Sequence, residues 1–389
     1  MNILFVLYGG VETNSFLCLS RFAKELHRRG HRCAVVPLRG KMKPWEEPYL
    51  KVFKAQQILK NLGICFENGK RADVIHAWTP RQNVVDFVLK YQKAEPTPLF
   101  VFSEDDEEWL VQQWMKLPSQ GICEKIKNIF CIKKIPPYLS DPLQMKSFLR
   151  VANSIAVITP ALQKKLPAGL SSDVLTLGVD LKEFFPRTAV SSLQKKYHLD
   201  SAEKVIVYCG GVGPFTEASI KDLCQMVTLL NQRGYRTRLV RSGIRSLSTI
   251  DGIKKEDLKY VLDLGILPRE EIPELMSLAD VFVQPGRPSP FEEGRLPCKI
   301  AEFMAMGIPT ILPHCNIGLL VQERQEAMTH KTGTAEEMSS LCEQIFTDPL
   351  LETLLRKGAR QFAEKYFDIK KNTDQLERQI RRMCDSYHL

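Results

Sequence analysis

Residues 2–38, NILFVLYGGVETNSFLCLSRFAKELHRRGHRCAVVPL, read as a strand, a glycine turn, a helix and a second strand. NILFVLYGG is a strand entering a glycine turn. Gly9 and Gly10 turn the chain, NSFLCLSRFAKELHRRG carries apolar residues at helical spacing up to Gly30, and HRCAVVPL is strand again. That order makes a βαβ crossover, which requires a parallel sheet. Further strands are expected at ADVIHAW (72–78), TPLFVFSE (97–104) and SIAVITP (154–160). The second half repeats the pattern: strand KVIVYCGGVG (204–213), helix ASIKDLCQMVTLLNQRG (218–234), strand YRTRLVRSG (235–243), then DLGILP, helix EEIPELMSLA, and strands DVFVQPG and TILPHC. Each half predicts a doubly wound α/β sheet, which takes ligands at the carboxyl ends of its strands.

At 389 residues the chain exceeds one core, so two domains of about 200 residues each are expected. No apolar run approaches the roughly 18 residues of a membrane span. The start, MNILFVLY, lacks the basic region and cleavage site of a signal peptide, which predicts a cytoplasmic protein. None of the 11 cysteines forms a C-x-x-C pair, so reduced core residues are expected, with Cys33, Cys209 and Cys298 set in apolar patterns. The net charge of +9 is dispersed among acidic residues rather than gathered in a stripe, which argues against nucleic acid. It suits a nucleotide-sugar partner and peripheral contact of a basic surface with the inner face of a membrane.

Residues 285–309, PGRPSPFEEGRLPCKIAEFMAMGIP, carry the chemistry. Pro297 fits the first position of a helix and Gly307 its left-handed stop, so a helix is predicted from about Pro297 to Met306. Its start, with Arg295 just ahead and Lys299 in the first turn, suits a diphosphate. Glu302 lies one turn beyond Lys299 among Ile300, Ala301, Phe303, Met304 and Ala305. A carboxylate there needs donors, which the two hydroxyls of a ribose would supply, or else it pairs with Lys299 along the helix.

EFMAMGIP (302–309) resembles the second-domain signature of the family-four retaining glycosyltransferases, the glycosyl transferases group 1. The resemblance implies the GT-B fold: two facing Rossmann-like domains with parallel sheets and a cleft between them. It implies that Glu302 binds the donor ribose. Many members carry an earlier Glu eight positions before, where this chain has Gly294. Glu292 and Glu293 precede it, and Pro297, Lys299 and Glu302 fit the branch that reads P-x-K-x-x-E. The first acidic role, contacting the donor sugar or stabilising charge at the anomeric centre, is thereby left between Glu292 and Glu293, with Glu293 the candidate catalytic carboxylate and Gly294 a donor contact. Relatives place an Arg and a Lys soon after the glycine turn of the second domain. Here GGVGPFTEAS has neither, so Arg241, Arg295 and Lys299 are the candidate cations beside Gly211 and Gly213. Arg241 is otherwise a surface arginine.

LGVD (177–180) is similar to the segment closing the family's first domain, which puts the boundary within about Arg187–Lys204. The expected domains are 1–187 on the acceptor side, 188–365 on the donor side, and a terminal helix, 366–389, crossing back to the first. On the first domain, Gly9 and Gly10 would approach donor phosphate or acceptor, while Glu12, Thr13 and Asn14 would cap the next helix. HAWTPR places His76, Thr79 and Arg81 past a strand, where they would open onto the cleft: His76 as a catalytic or core residue, Thr79 and Arg81 as acceptor contacts. In SEDDEEW, Asp105 would orient an acceptor hydroxyl, or the cluster is a solvated helix start.

The implied activity is transfer of a sugar, with retention, from a UDP- or GDP-sugar to a saccharide or glycolipid hydroxyl in cell-surface polysaccharide, lipopolysaccharide or glycolipid synthesis, with no metal and no further cofactor. Such a reaction needs stabilisation of the leaving diphosphate more than a strong base. A sugar-nucleotide 2-epimerase and a non-catalytic sugar-nucleotide-binding subunit remain as alternatives.

Overall fold

The computed structural model describes residues 1–40, 45, 47–116, 135–188 and 191–387. They form two compact units, Met1–Gly178 with Ile369–Leu389, and Val179–Asp368. In the first unit, β1 (Asn2–Leu7), β2 (Arg32–Pro37), β3 (Lys51–Val52), β4 (Val74–Trp78), β5 (Leu99–Ser103), β6 (Ser154–Val157) and β7 (Asp173–Val174) make one sheet. Its order is β3-β2-β1-β4-β5-β6-β7 and every pairing is parallel. The order reverses between β1 and β4, the point where doubly wound sheets open a crevice. Ile3 to Leu7 are fully buried, which is why β1 reads as an unbroken apolar run. The helix Asn14–Arg28 starts at Thr13, whose side chain accepts from the Phe16 amide. Of Glu12, Thr13 and Asn14, it is therefore Thr13 that caps.

In the second unit, β8 (Lys204–Cys209), β9 (Thr237–Ser242) and β10 (Val261–Asp263) pair in the order β10-β9-β8, and β11 (Phe282–Val283), β12 (Thr310–Pro313) and β13 (Met328–His330) pair in sequence. A bridge between Ile206 and Val281 sets β8 beside the start of β11. Asp280 fastens the join, its amide donating to the Val205 carbonyl at 2.8 Å and its carboxylate accepting from the Val205 amide at 2.7 Å. The topology of the first unit thus recurs, with its reversal between β8 and β11. Phe282 on β11 stacks flat on Phe303 of the helix Cys298–Ala305, with centroids 4.0 Å apart, and so fixes that helix over the sheet.

The units divide earlier than the expected 187–204 stretch, of which residues 189–190 lie outside the described residues. The chain changes unit at Gly178/Val179 and again at Asp368/Ile369, in place of the expected limits at 187/188 and 365/366. The cause is local pairing. The Val179 amide donates to the Phe367 carbonyl at 2.8 Å, and Arg360 donates to the carbonyls of Phe184 and Ala305, so residues 179–184 are already held in the second unit. The final helix, Ile369–Tyr387, belongs to the first unit. Asn372 donates to the Thr176 and Leu177 carbonyls, and Arg29 pairs with Asp374 and Glu377.

Burial pushes the Cys33 thiol up to about 12, while Cys209 and Cys298 are half-buried. Cys123 and Cys131 lie outside the described residues. Among the described residues no helix is long and apolar enough to cross a membrane.

Glu377 supplies a test of how the final helix is held. Burial alone would raise its pKa, but hydrogen bonds from Arg381, His31 and Arg29 outweigh burial and bring it from 4.5 down to about 2. A depressed carboxylate stabilises the folded state fully above 4.5 and loses that contribution as pH falls towards 2. Glu377→Gln should therefore destabilise the protein by about 1 kcal/mol at pH 7, the scale of a partly exposed charge network. Urea titrations at several pH values should show the gap from the parent narrowing below pH 4.5.

Candidate functional site

The carboxyl ends of β8, β9 and β10 lie side by side and are stitched through their backbones. The Gly210 amide donates to the Ser242 carbonyl at 2.7 Å, and the Gly243 amide donates to the Gly265 carbonyl at 2.7 Å. A Cβ at Gly243 would overlap the Gly210 carbonyl, so this close approach requires glycine. Arg241 locks the arrangement. Its side chain is buried, with Nη1 2.8 Å from Asp263 and Nη2 donating to the carbonyls of Gly210 at 3.1 Å and Ile244 at 2.6 Å. The surface reading of Arg241 needs correction: its side chain is buried, and its charge is paired with Asp263. Gly211 and Gly213 lead on into the helix Glu217–Gln232, where the Gly213 amide donates to Thr216 Oγ1.

Facing this edge is the helix Cys298–Ala305. It is slightly shorter than predicted, because Pro297 and Met306 are its caps, and Gly307 leaves it at φ +65° as the left-handed stop requires. Lys299 Nζ donates to the Tyr208 hydroxyl at 2.9 Å, lies 4.2 Å from that ring's centroid, and would clash with a Cβ at Gly210. Glu302 is buried and forms an ion pair with Arg269. The pairing of Lys299 with Glu302 along the helix is therefore not made: β8 supplies a hydroxyl to the lysine, and the loop after β10 supplies a guanidinium to the carboxylate. Burial first, then the Glu302 charge, pushes the Cys209 thiol up to about 12, with Lys299 and Arg269 acting the other way. All three charges thus surround the last residue of β8.

Ahead of this helix, Arg295 chelates Glu292 through Nε at 3.1 Å and Nη2 at 2.7 Å, its guanidinium 4.3 Å from the Phe291 ring centroid. Glu292 is buried against Gly286, whereas Glu293 is exposed on the short helix Pro290–Gly294, whose last residue, Gly294, is buried. Phe215 meets Phe291 at 6.0 Å between centroids and draws the glycine turn towards that helix. Lys299, Glu302, Arg269, Tyr208 and Gly210 gather near the reversal between β8 and β11, where this topology puts ligands.

The first unit has its own edge at the ends of β1, β4 and β5. Arg81 is buried with its guanidinium 3.7 Å from the Tyr8 ring centroid, Nε shared by the two Glu107 oxygens at 3.0 and 3.1 Å, and Nη2 2.9 Å from Asp105. It meets carboxylates of its own chain, and Asp105 is held beside it. Glu104 accepts hydrogen bonds from Trp78 Nε1 at 2.8 Å and from Ser15, and burial, then Asp105, pushes its pKa up to about 8. Thr79 takes a left-handed φ of 63°, costly for a β-branched residue, and its buried hydroxyl has no partner among the described residues. Gly10 accepts from the Thr13 amide and hydroxyl, and Glu12 lies against it.

His76 corrects the expectation that it opens at the strand end. It sits within β4, fully buried, its ring 4.9 Å from Phe5, 4.8 Å from Phe100 and 5.6 Å from Trp78 between centroids. Arg269, Tyr208, Asp263, Glu104 and Glu107 are absent from the residues singled out in the sequence. Glu104 and Glu107 stood within SEDDEEW, whereas Arg269, in an ordinary LPRE turn, gave no signal. Among the described residues no three His, Cys, Asp or Glu side chains converge as a metal site would require.

Residues 203–348, all within the second unit, match the model of the family described as glycosyl transferases group 1. Solved structures share the fold of the whole chain. Sucrose-phosphate synthase from Thermosynechococcus elongatus is 14% identical with a TM-score of 0.71, over 99% of this chain and 100% of that one. Anabaena HepE in complex with UDP and glucose is 15% identical with a TM-score of 0.70, over 97% of this chain and 98% of that one. WaaG, a glycosyltransferase involved in lipopolysaccharide biosynthesis, is 14% identical with a TM-score of 0.62, over 96% of this chain and 98% of that one. A comparison with curated proteins finds no match. The likeness shows the fold, two α/β domains of the GT-B kind, and with the family match it indicates a glycosyltransferase enzyme.

Neither ring nitrogen of His76 has a hydrogen-bond partner among the described residues, and burial brings its pKa from 6.5 down to about 3. The unfolded chain therefore binds a proton below 6.5 that the folded one refuses, and stability falls with pH between 6.5 and 3. His76→Phe should keep or raise stability at pH 7 by about 1 kcal/mol, since unpaired buried nitrogens are removed. Urea titrations at pH 7 and pH 5 should also show a shallower acid loss in the variant. A large destabilisation would mean that the histidine has a polar partner.

Proposed function

We propose that the protein is a retaining, metal-independent glycosyltransferase that moves a sugar from a UDP- or GDP-sugar to a hydroxyl of a saccharide or glycolipid, in the synthesis of cell-surface polysaccharide, lipopolysaccharide or glycolipid at the inner face of the membrane. One observation carries the reading. Lys299 and the buried Glu302 share a helix, one in its first turn and the other further along, against the glycine edge of β8 in the segment that matches the family. In this reading Lys299 and the helix start neutralise the diphosphate, and Glu302 accepts the ribose hydroxyls. The leaving group is then stabilised by a positive charge fixed before the reaction. Glu293, exposed beside the glycine turn, faces the donor sugar. In the first unit Asp105, held by Arg81, accepts the acceptor hydroxyl. Arg81, with two carboxylates of its own, orients that acid and takes no acidic acceptor. HepE, a structural neighbour, is known in complex with UDP and glucose, which supports a nucleotide-sugar donor.

Calorimetry with UDP, GDP, uridine and guanosine tests the reading. Glu302→Ala should weaken nucleoside and nucleoside diphosphate alike, by about 1.5–3 kcal/mol, because both carry the ribose. Lys299→Ala should weaken the diphosphate far more than the nucleoside. Unchanged affinities in folded variants would return the pair to a structural role. Release of diphosphate from the sugar nucleotide only when acceptor is present marks transfer. An isomerised donor would mark an epimerase, and binding with neither reaction a non-catalytic subunit, a reading favoured by the lack of Arg or Lys in GGVGPFTEAS.

A further inference from the structure

We propose that Arg269 is a second cation of the donor site, and that before nucleotide arrives it occupies the carboxylate that the ribose will take. The inference rests on the donor-site reading above and adds a residue and an exchange to it. Arg269 opens the turn Arg269–Glu271 behind Pro268, on a loop whose Gly265 carbonyl is anchored by the Gly243 amide and the Ser242 hydroxyl at 3.0 Å. Its guanidinium reaches Glu302 while 5.0 Å from the Phe184 ring centroid. The two partners differ in exposure, with the Arg269 side chain 32% exposed and that of Glu302 only 4%. The carboxylate is thus fixed in the protein, and the guanidinium comes to it from the wet side.

A carboxylate buried among Ile300, Phe303 and Met304 cannot be left without donors. In this structure Arg269 pairs with it. Ribose hydroxyls can take over the hydrogen bonds but bring no charge, so the displaced guanidinium is left beside Lys299, with both near the end of β8. Four cations were found near this edge. Arg241 is committed to Asp263 and Arg295 to Glu292, whereas Lys299 contacts a neutral hydroxyl. Among the described residues Glu302 is the single carboxylate in an ion pair with Arg269. Arg269 is therefore the cation that ribose binding releases, and a diphosphate attached to that ribose is the anion that would receive it. The site becomes selective by exchange. A nucleoside breaks the Arg269–Glu302 pair with nothing to offset it, and a nucleoside diphosphate supplies a new partner for the charge.

Calorimetry of the full chain with UDP and uridine, and with GDP and guanosine, decides the matter. Arg269→Gln keeps a neutral donor for Glu302 and removes the charge. It should weaken the diphosphate by about tenfold or more while leaving the nucleoside unchanged or tighter. Arg269→Lys should keep diphosphate affinity to within about threefold of the parent, since it retains the charge and loses only the planar fork. If the Gln variant does not fold, Arg269→Gln combined with Glu302→Gln, a neutral amide pair, is compared with Glu302→Gln alone. The ratio of diphosphate to nucleoside affinity should again fall by about tenfold. Equal losses for both ligands, or no loss for either, would make Arg269 a structural lock and overturn the exchange. If the parent protein binds neither diphosphate, the donor-site reading itself fails.

Discussion

A buried guanidinium holds the strand ends of the second unit together. Arg241 reaches from β9 to Asp263 on β10, to the carbonyl of Gly210 after β8, and to the carbonyl of Ile244 in its own loop. The ends of β8, β9 and β10 are thereby tied to one side chain. A buried ion pair is weak evidence of net stability, since desolvation opposes the Coulomb gain. Its firmer consequence is geometric: with Gly210 fixed, Lys299 has a defined place to rest, and Glu302 sits one helical turn further along.

The first unit solves the same problem with the same residue type. Arg81 follows β4 at that sheet's reversal, stacked on Tyr8 and held by Glu107 and Asp105. Both arginines look from the sequence like anion ligands, because each follows a strand at the ligand edge. Both are internal ties. The reason is the architecture itself. Where several strands end together, their outermost carbonyls and the acidic residues of the following loops need donors, and arginine, with five N–H groups in a rigid fork, meets several at once.

This explains how far the site could be read in advance. The strand–helix alternation was legible because strands covered on both faces, such as Ile3–Leu7, are apolar throughout. The helix carrying Glu302 was legible from Pro297 and Gly307, and its start missed by one residue because proline here caps the helix instead of entering it. Pairings were not legible. Whether Lys299 turns to Glu302 or to Tyr208 depends on where β8 lies, and whether Arg241 is free depends on Asp263, more than twenty residues away in sequence. His76 misled for a related reason. Only the register of β4 against β1 and β5, which sets it opposite Phe5 and Phe100, reveals that it lies in the middle of a strand.

The two edges also differ in how they manage charge, which bears on what each can hold. At the strand ends of the second unit Glu302 and Glu292 are buried and each meets a guanidinium, while Lys299 rests against a neutral hydroxyl. At the strand ends of the first unit Asp105 and Glu107 pair with Arg81, and Glu104 accepts from Trp78. Burial, then the Asp105 charge, pushes the Glu104 carboxyl upward, towards its neutral form. The charge arrangement at each edge is thus set by which side chains the strand ends have already engaged.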